Sequence, residues 1–306
     1  MKLAFVFPGQ GSQYVGMGKW VYDNFDEARS TFDEASGYLG FDVADLCFNG
    51  PKSELNRTFR TQPCILTASI AALRVLVKNG LTPLVVAGHS LGEYSALVSA
   101  GVIKFSDAVR LTEKRGRFMQ DAVPEGKGLM AAILGLGRVE VDEICLSVSS
   151  GYVSPANYNS PGQIVIAGEK EAVEEAICIA KESGARRAIP IAVSAPSHCA
   201  LMIEASKRLV GELEKIKFTP PVIPIVNNAD AMFLNTTGSI KASLIKQLDS
   251  PLLWEDSIRN ILESGIDTFI EVGPGKILSG LIKRIDTGVK TLNTDKDMEE
   301  ILSKIK

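Results

Sequence analysis

The sequence predicts an α/β protein in which a mostly parallel sheet is covered by helices. Short apolar runs, which predict buried parallel strands, span Leu3–Phe7, Leu84–Ala87 and Thr268–Val272. Between the first two runs, apolar residues recur at helical spacing and predict a helix over Pro63–Val77. Segments of the two kinds alternate along the 306 residues, an order typical of a parallel sheet with covering helices.

The two outer parts of the chain complete this predicted domain. A further strand is predicted over residues 222–226. Predicted helices span residues 91–100, 107–122, 197–213, 239–248, 254–263 and 276–284. Ser106 is the expected N-cap of the second of these helices, because a serine side chain accepts a hydrogen bond from the first helical turn.

A different pattern follows residues 124–128, which have the sequence P-E-G-K-G. Strands are predicted over 129–134, 153–158, 163–167 and 187–193, and helices over 139–148 and 171–182. The resulting order β-α-β-β-α-β is that of a ferredoxin-like unit. We therefore predict a larger domain formed by residues 1–123 and 195–306, with residues 124–194 inserted into it as a ferredoxin-like subdomain.

Composition excludes several classes of protein. The net charge of −3 gives no basic excess for binding nucleic acid. The apolar start, residues 1–7, is too short for a signal peptide and is followed by the breaker P-G-Q-G at residues 8–11. The longest apolar stretch, Leu66–Val77, contains Arg74, so no membrane span is expected. The five scattered cysteines lack metal-ligand spacing and favour the reducing cytoplasm.

A candidate nucleophile lies between a predicted strand and a predicted helix. Residues 88–92, G-H-S-L-G, match the pattern G-x-S-x-G in the context that the nucleophile elbow requires. The glycines permit a sharp turn that exposes the Ser90 hydroxyl, and the following helix directs N–H groups toward developing negative charge. A glycine-rich turn that happens to hold a serine is the alternative. The flanking strand and helix favour the nucleophile.

A serine needs a base, and the chain has two histidines. His89 precedes the nucleophile, so we expect it to be packed or hydrogen-bonded. His198 follows A-P-S at a predicted helix start, where the helix dipole disfavours imidazolium. A surface or capping role is the alternative, but by elimination His198 is the expected partner of Ser90. No acidic third member is evident, and a backbone carbonyl could orient the ring instead.

Two further positions are candidates for substrate binding. Gln10, in the segment F-P-G-Q-G-S-Q after the first strand, offers an amide donor for an oxyanion hole. A dinucleotide-binding fingerprint fails there because Tyr14 stands where a glycine is needed, and no cofactor is expected. Arg115 lies among apolar residues at helical spacing. It either forms a salt bridge or surface contact, or holds a substrate carboxylate by two parallel hydrogen bonds.

Six segments together resemble the malonyl-CoA:acyl carrier protein transacylases of bacterial fatty acid synthesis. The resemblance covers nearly the whole chain. The segments are residues 5–13 (FVFPGQGSQ), 88–94 (GHSLGEY), 115–116 (RG) with 119–120 (MQ), 157–163 (NYNSPGQ), 196–198 (PSH) and 271–275 (EVGPG). The family fold that this implies is an α/β-hydrolase-like domain with an inserted ferredoxin-like subdomain.

The resemblance also implies roles for particular residues. Ser90 is then the nucleophile and His198 the base, and Arg115 binds the malonyl carboxylate. The backbone N–H groups of Gln10 and Leu91 form the oxyanion hole. The backbone carbonyl of Gln247 orients the histidine, which would account for the missing acid.

The implied reaction moves a malonyl group from malonyl-CoA to the phosphopantetheine thiol of acyl carrier protein through a malonyl-serine intermediate. Such an enzyme supplies fatty acid elongation, needs no cofactor beyond its substrates, and is expected to be a free-standing cytoplasmic monomer. The acidic carrier would dock on a basic rim, with residues 186–187 and 283–284 as candidates. The alternatives are a serine esterase or thioesterase of the α/β-hydrolase type, and a non-catalytic binding module.

Overall fold

The computed structural model describes residues 2–191 and 195–304. The strands are β1 (Leu3–Phe7), β2 (Val85–Gly88), β3 (Gly128–Leu134), β4 (Val153–Ser160), β5 (Gln163–Glu169), β6 (Arg187–Ile191), β7 (Ile225–Val226), β8 (Phe233–Leu234), β9 (Thr268–Glu271) and β10 (Lys290–Asn293). They form two separate sheets.

The helices lie mostly between these strands in the chain. They are α1 (Lys19–Asn24), α2 (Asp26–Leu39), α3 (Val43–Asn49), α4 (Lys52–Leu55), α5 (Thr58–Lys78), α6 (Gly92–Ser99), α7 (Phe105–Ala122), α8 (Arg138–Ser147), α9 (Lys170–Glu182), α10 (Ile203–Leu213), α11 (Thr237–Asp249), α12 (Trp254–Glu263), α13 (Ile277–Ile285) and α14 (Met298–Ser303). In the part of the chain described, no helix is long and apolar enough to cross a membrane.

The larger sheet has the strand order β10-β9-β1-β2-β7-β8. Neighbouring strands are parallel except at the β8 edge, where β8 runs antiparallel to β7. Every residue of β1 is buried, because helices cover both faces of the sheet. Phe7 is paired with Gly88 at the carboxyl ends of β1 and β2. This register places the Gln10 segment beside the turn that carries Ser90.

The smaller sheet has the order β4-β5-β3-β6, and its strands are antiparallel. Helices α8 and α9 lie between its strands in the chain, and their apolar residues pack with those of the sheet in a core of its own. The predicted α/β class is therefore confirmed as a mixed, mainly parallel sheet accompanied by a second, antiparallel sheet.

Two sequence predictions need correction. Ser106 is not an N-cap: α7 begins at Phe105, whose buried ring lies in the core, so the cap position falls on Lys104. The helix predicted from residue 197 starts later, with a 3₁₀ turn at Ala200–Met202 before α10. His198 is excluded from a helix because its φ is +63°.

The other differences concern strands and helices. The strand predicted over 222–226 is limited to β7. Of the strand predicted over 187–193, residues 192 and 193 lie outside the described residues. Strands β8 and β10 and the helices α1 to α4 and α14 had no counterpart among the predicted elements.

Candidate active site

Ser90 lies at a sharp turn between β2 and α6. Its φ is +51°, a conformation that costs a non-glycine residue about 1–3 kcal/mol. The two flanking glycines allow the turn: a Cβ on Gly88 would lie 1.9 Å from the backbone of Gly92, and one on Gly92 would lie 1.9 Å from the carbonyl oxygen of Phe7. Asn228 fixes the turn, accepting a hydrogen bond from the Ser90 N–H at 2.7 Å and donating to the Gly88 carbonyl at 2.8 Å.

Ser90, His198 and Gln247 form a hydrogen-bonded chain. The Ser90 Oγ lies 2.9 Å from His198 Nε2, and His198 Nδ1 lies 2.7 Å from the backbone oxygen of Gln247. A carbonyl oxygen can only accept, so Nδ1 carries the proton and Nε2 presents its lone pair to the serine hydroxyl. The arrangement can therefore remove a proton from Ser90 without a third acidic residue.

His198 is neutral, but not for the reason that the sequence indicated. Burial, followed by the positive charge of Arg115, lowers the pKa of His198 to about 3. The predicted helix dipole plays no part, because His198 lies in a loop before the 3₁₀ turn. A ring that is unprotonated at physiological pH is available as a base.

Arg115 is buried, with 1% of its surface exposed, on the side of α7 that faces the nucleophile. Its Nη1 donates to Gln62 Oε1 at 2.9 Å, and its Nη2 donates to Gln247 Oε1 at 3.0 Å and to Ser90 Oγ at 3.1 Å. All three acceptors are uncharged. The surface role considered for Arg115 is therefore wrong, and the guanidinium holds a positive charge beside the nucleophile.

The two expected oxyanion-hole residues flank the nucleophile. Leu91 follows it and is fully buried, whereas Gln10 lines the same cleft as Ser90. The side-chain amide of Gln10 donates to Thr58 Oγ1 at 3.3 Å. This contact uses one of the two N–H donors of that amide, so the side-chain amide and the backbone N–H of Gln10 both stay candidates for the oxyanion hole.

His89 is packed and hydrogen-bonded, as expected, although it also lines the cleft that contains Ser90. Its Nε2 lies 2.8 Å from Asn159 Oδ1, and its ring makes an edge contact with Trp254 at 5.4 Å between centroids. Burial lowers the pKa of His89.

A cleft of about 180 Å³ opens above Ser90 between the two sheets. Met130 and Val165 of the smaller sheet and Leu281 of α13 supply apolar walls.

Glu271, at the end of β9, anchors the start of α13 by accepting the N–H groups of Leu278 and Ser279 at 3.0 and 2.8 Å. Within residues 2–191 and 195–304, no group of His, Cys, Asp and Glu side chains is placed to hold a metal ion.

Three residues of the site were not predicted from the sequence: Gln62, Glu93 and Asn228. Glu93 offered a recognisable pattern, because it is the one charged residue of a short predicted helix and directly follows G-H-S-L-G. Asn228 follows a short strand at the carboxyl edge of the sheet, where binding residues of α/β proteins collect. Gln62 had no distinguishing pattern in its helix.

The Glu93 carboxyl lies deep beneath the site. Burial raises the pKa of Glu93 to about 7, although Gln247 Nε2 and the Asn228 N–H donate to it at 2.9 and 3.1 Å and Arg115 opposes the shift. A folded-state pKa above the ordinary value means that the folded state binds the proton more tightly. The stability that the protonated Glu93 carboxyl contributes to the fold is therefore present at low pH and is lost as the pH rises through 7.

Glu93→Gln should consequently change the pH dependence of stability. The difference in the free energy of unfolding, variant minus wild type, should increase by roughly 3 kcal/mol from pH 4.5 to pH 8.5. The wild type must bury a charged carboxylate at the higher pH, whereas the glutamine has no charge to bury. Urea denaturation at several pH values measures this difference. Glu263→Gln, at an exposed glutamate, is the matched control. A difference that does not vary with pH would contradict the raised pKa.

The site can be compared with those of known proteins. A sequence model described as the acyl transferase domain matches residues 4–301. The chain belongs to the acyl transferase family. Among curated members, the malonyl CoA-acyl carrier protein transacylase of Escherichia coli K12 is 52% identical over 286 residues, which are 93% of each chain. The Bacillus subtilis protein of the same name is 46% identical over 293 residues, covering 95% of this chain and 92% of its own.

Solved structures of the family have the same fold. An acyl carrier protein S-malonyltransferase from Vibrio cholerae superimposes with a TM-score of 0.96 at 47% identity, with both chains fully covered. A malonyl-transacylase solved in complex with its type II polyketide synthase acyl carrier protein has a TM-score of 0.96 and 47% identity, covering 100% of this chain and 99% of the other.

Proposed function

We propose that this acyltransferase moves a malonyl group from malonyl-CoA to the phosphopantetheine thiol of acyl carrier protein and so supplies fatty acid elongation. The observation that carries the proposal is the position of Arg115, whose Nη2 lies 3.1 Å from the nucleophile oxygen within the same cleft. A malonyl ester on Ser90 has a free carboxylate only a few bonds from that oxygen. The buried guanidinium supplies a matching charge for it.

The first half-reaction uses the hydrogen-bonded chain of the site. Ser90 Oγ attacks the thioester carbonyl while His198 Nε2 takes its proton and Gln247 holds the imidazolium through Nδ1. The backbone N–H groups of Gln10 and Leu91 stabilise the tetrahedral oxyanion. Collapse breaks the carbon–sulfur bond, and coenzyme A leaves with the proton from His198.

The second half-reaction reverses these roles. His198 takes the proton of the carrier's phosphopantetheine thiol, whose sulfur attacks the malonyl ester. The ester bond breaks, and Ser90 recovers its proton from His198, so that atoms and charge balance over the cycle. The expected partner is acyl carrier protein, which is supported by the relative solved with its carrier. Monomeric state and cytoplasmic location stay predictions from the sequence.

Esterase activity is less well supported. An esterase would need no cation beside its nucleophile, whereas the malonyl group accounts for Arg115. The proposed reaction also explains why the cleft has both apolar walls and one buried positive charge.

We also propose that residues 124–194 form a ferredoxin-like subdomain inserted into an α/β-hydrolase-like domain of residues 1–123 and 195–306. Numbered within the smaller sheet, the strand order β4-β5-β3-β6 is 2-3-1-4, with the two helices following the first and third strands. The β-α-β-β-α-β order supports the first assignment. The nucleophile turn between β2 and α6 supports the second.

The function is tested by incubating the protein with malonyl-CoA and measuring the intact mass. We expect a malonyl adduct that persists in the absence of carrier and is discharged by holo-acyl carrier protein but not by the apo form. Rapid hydrolysis of the adduct without carrier would instead indicate an esterase. The absence of any adduct would contradict the proposal and favour a binding module.

Arg115→Ala should remove the preference for malonyl over acetyl groups. The malonyl carboxylate loses up to two charge-assisted hydrogen bonds, so its transfer should weaken by roughly 2–4 kcal/mol. An acetyl group makes no such contact, so its transfer should fall little or rise. Arg115→Lys should restore only part of the preference, because an ammonium cannot form the two-pronged contact. The measurement is kcat/KM for malonyl-CoA and acetyl-CoA.

Arg117→Ala is the matched control, since Arg117 lies on the same helix but is exposed. It should leave the ratio of the two kcat/KM values unchanged. Equal losses for both substrates in Arg115→Ala would mean that Arg115 maintains the fold of the site rather than binding the carboxylate.

A further inference from the structure

Gln247 contacts the catalytic groups through two different parts of the residue. Its backbone oxygen accepts from His198 Nδ1, and its side-chain Oε1 accepts from Arg115 Nη2. The proposed mechanism uses only the backbone oxygen. The side chain is also buried, so its orientation, together with the Gln62 acceptor on the other guanidinium nitrogen, fixes where the guanidinium is held.

Two acceptors on one side fix that orientation. Gln247 Nε2 donates to Glu93 Oε2 at 2.9 Å and to the backbone oxygen of Ser90 at 3.1 Å. A flipped amide would turn its oxygen toward these two acceptors and its NH₂ toward the guanidinium donors. The contacts with Glu93, with the Ser90 carbonyl and with Arg115 would then all be lost, and a buried polar group without a partner is costly. The amide therefore has one favourable orientation while the Glu93 carboxyl is present.

Glu93 is itself held rigidly. Its side chain extends from the first turn of α6, and 1% of its surface is exposed. The same oxygen that accepts from Gln247 also accepts from the backbone N–H of Asn228 at 3.1 Å. The side chain of Asn228 in turn holds the Ser90 turn. One carboxyl oxygen thus links the nucleophile turn, the end of β7 and the residue that holds Arg115.

We propose that Glu93 is a positioning residue for substrate selection, which acts by fixing the Gln247 amide and, through it, the Arg115 guanidinium. The inference rests on the proposed function, in which Arg115 binds the malonyl carboxylate. Glu93 touches neither the acyl group nor the reacting atoms. Loss of the Glu93 carboxyl leaves the backbone oxygen of Gln247 in place in α11, where it accepts from His198. The loss therefore weakens malonyl binding more than it weakens the chemistry at Ser90.

Two substitutions at Glu93 distinguish the effect of its hydrogen-bond acceptor from the effect of its side-chain volume. In Glu93→Gln, the amide oxygen can replace Oε2 and accept from Gln247 and Asn228, so the acceptor is kept. In Glu93→Met, a side chain of similar length fills the space without an acceptor.

The measured quantity is the ratio of kcat/KM for malonyl-CoA to that for acetyl-CoA, obtained from acylation of Ser90. We expect Glu93→Met to reduce this ratio on the order of 10-fold, the effect of losing one hydrogen bond to a charged group. The loss should appear mainly as a higher KM for malonyl-CoA. Glu93→Gln should keep the ratio within about 2–3-fold of wild type, since it retains the acceptor.

A double-mutant cycle tests whether Glu93 acts through Gln247. Gln247→Met removes the side-chain acceptor of Arg115 and keeps the backbone oxygen. If the two residues act in one chain, the double variant Glu93→Met/Gln247→Met should have a ratio close to that of the lower single variant. Independent effects that multiply would overturn the proposal.

The remaining outcomes are also decisive. A wild-type protein that forms no malonyl adduct would contradict the proposed function rather than this inference. With a normal wild type, equal losses for both acyl groups in Glu93→Met, or a loss of preference in Glu93→Gln, would overturn the inference. Should Glu93→Met not fold, Gln247→Met carries the test alone: it must lower the malonyl preference, and an unchanged ratio would overturn the proposal.

Discussion

Ser90→Ala should abolish the malonyl-enzyme adduct and reduce transfer to acyl carrier protein by at least about 10⁴-fold, the scale of losing a nucleophile that acts together with its base. The substitution removes one oxygen, which contacts His198 Nε2 and Arg115 Nη2. The backbone at this turn keeps its interactions with Asn228, because these involve main-chain atoms of residues 88 and 90. The fold should therefore survive, and circular dichroism and thermal unfolding should remain close to those of the wild type.

Ser12→Ala is the matched control for this experiment. Ser12 lines the same cleft, but its hydroxyl donates to the carbonyl oxygen of Gly9 rather than to His198. The control should form the adduct at the mass expected for one malonyl group. An adduct that persists on Ser90→Ala, or that peptide mapping places on another residue, would show that the nucleophile is wrongly assigned.

The fold was predictable where burial is uniform along a segment. β1 was predicted with its observed bounds, because each of its five residues is apolar and buried. β10, with the sequence K-T-L-N, lies at the edge of the sheet and has too few apolar residues to differ from a loop in a single sequence. β8 has two residues, which is too short for any periodicity.

The region around His198 shows a different limit. Its residues are compatible with a helix beginning at 197, but the structure holds His198 at φ +63° and delays α10 to Ile203. The backbone N–H of His198 donates to the carbonyl oxygen of Leu248 at 3.1 Å, a contact across 50 residues of sequence. Local propensity contains no information about such a contact, and tertiary structure overrides it here.

The candidate site was predictable in its parts but not in its connections. Ser90 followed from a motif in its context, and His198 from the scarcity of histidines. The roles of Gln247 and Leu91 came only from the resemblance to a family. The link from Glu93 through Gln247 to Arg115 joins three helices through side-chain hydrogen bonds. Contacts of this kind have no sequence period, so composition and spacing could not indicate them.

His198→Ala should slow acylation of Ser90 by about 10²–10⁴-fold, because the general base is removed while the nucleophile and the Arg115 contact remain. His89→Gln is the matched control at the other histidine and should have a much smaller effect, since His89 contacts Asn159 and Trp254 rather than Ser90. The measurement is single-turnover formation of the malonyl adduct.

The pH dependence of that rate distinguishes a base from a structural histidine. A general base acts only when unprotonated, so the rate should fall as the pH drops through the pKa of His198. Burial and the charge of Arg115 lower this pKa to about 3. Protonation of His198 should therefore cause no decline in the wild-type acylation rate between pH 8 and pH 5. In His198→Ala, the residual rate should instead rise with pH, because hydroxide must then remove the Ser90 proton. If the variant acylates at nearly the wild-type rate with an unchanged profile, His198 only supports the structure, and another group must activate Ser90.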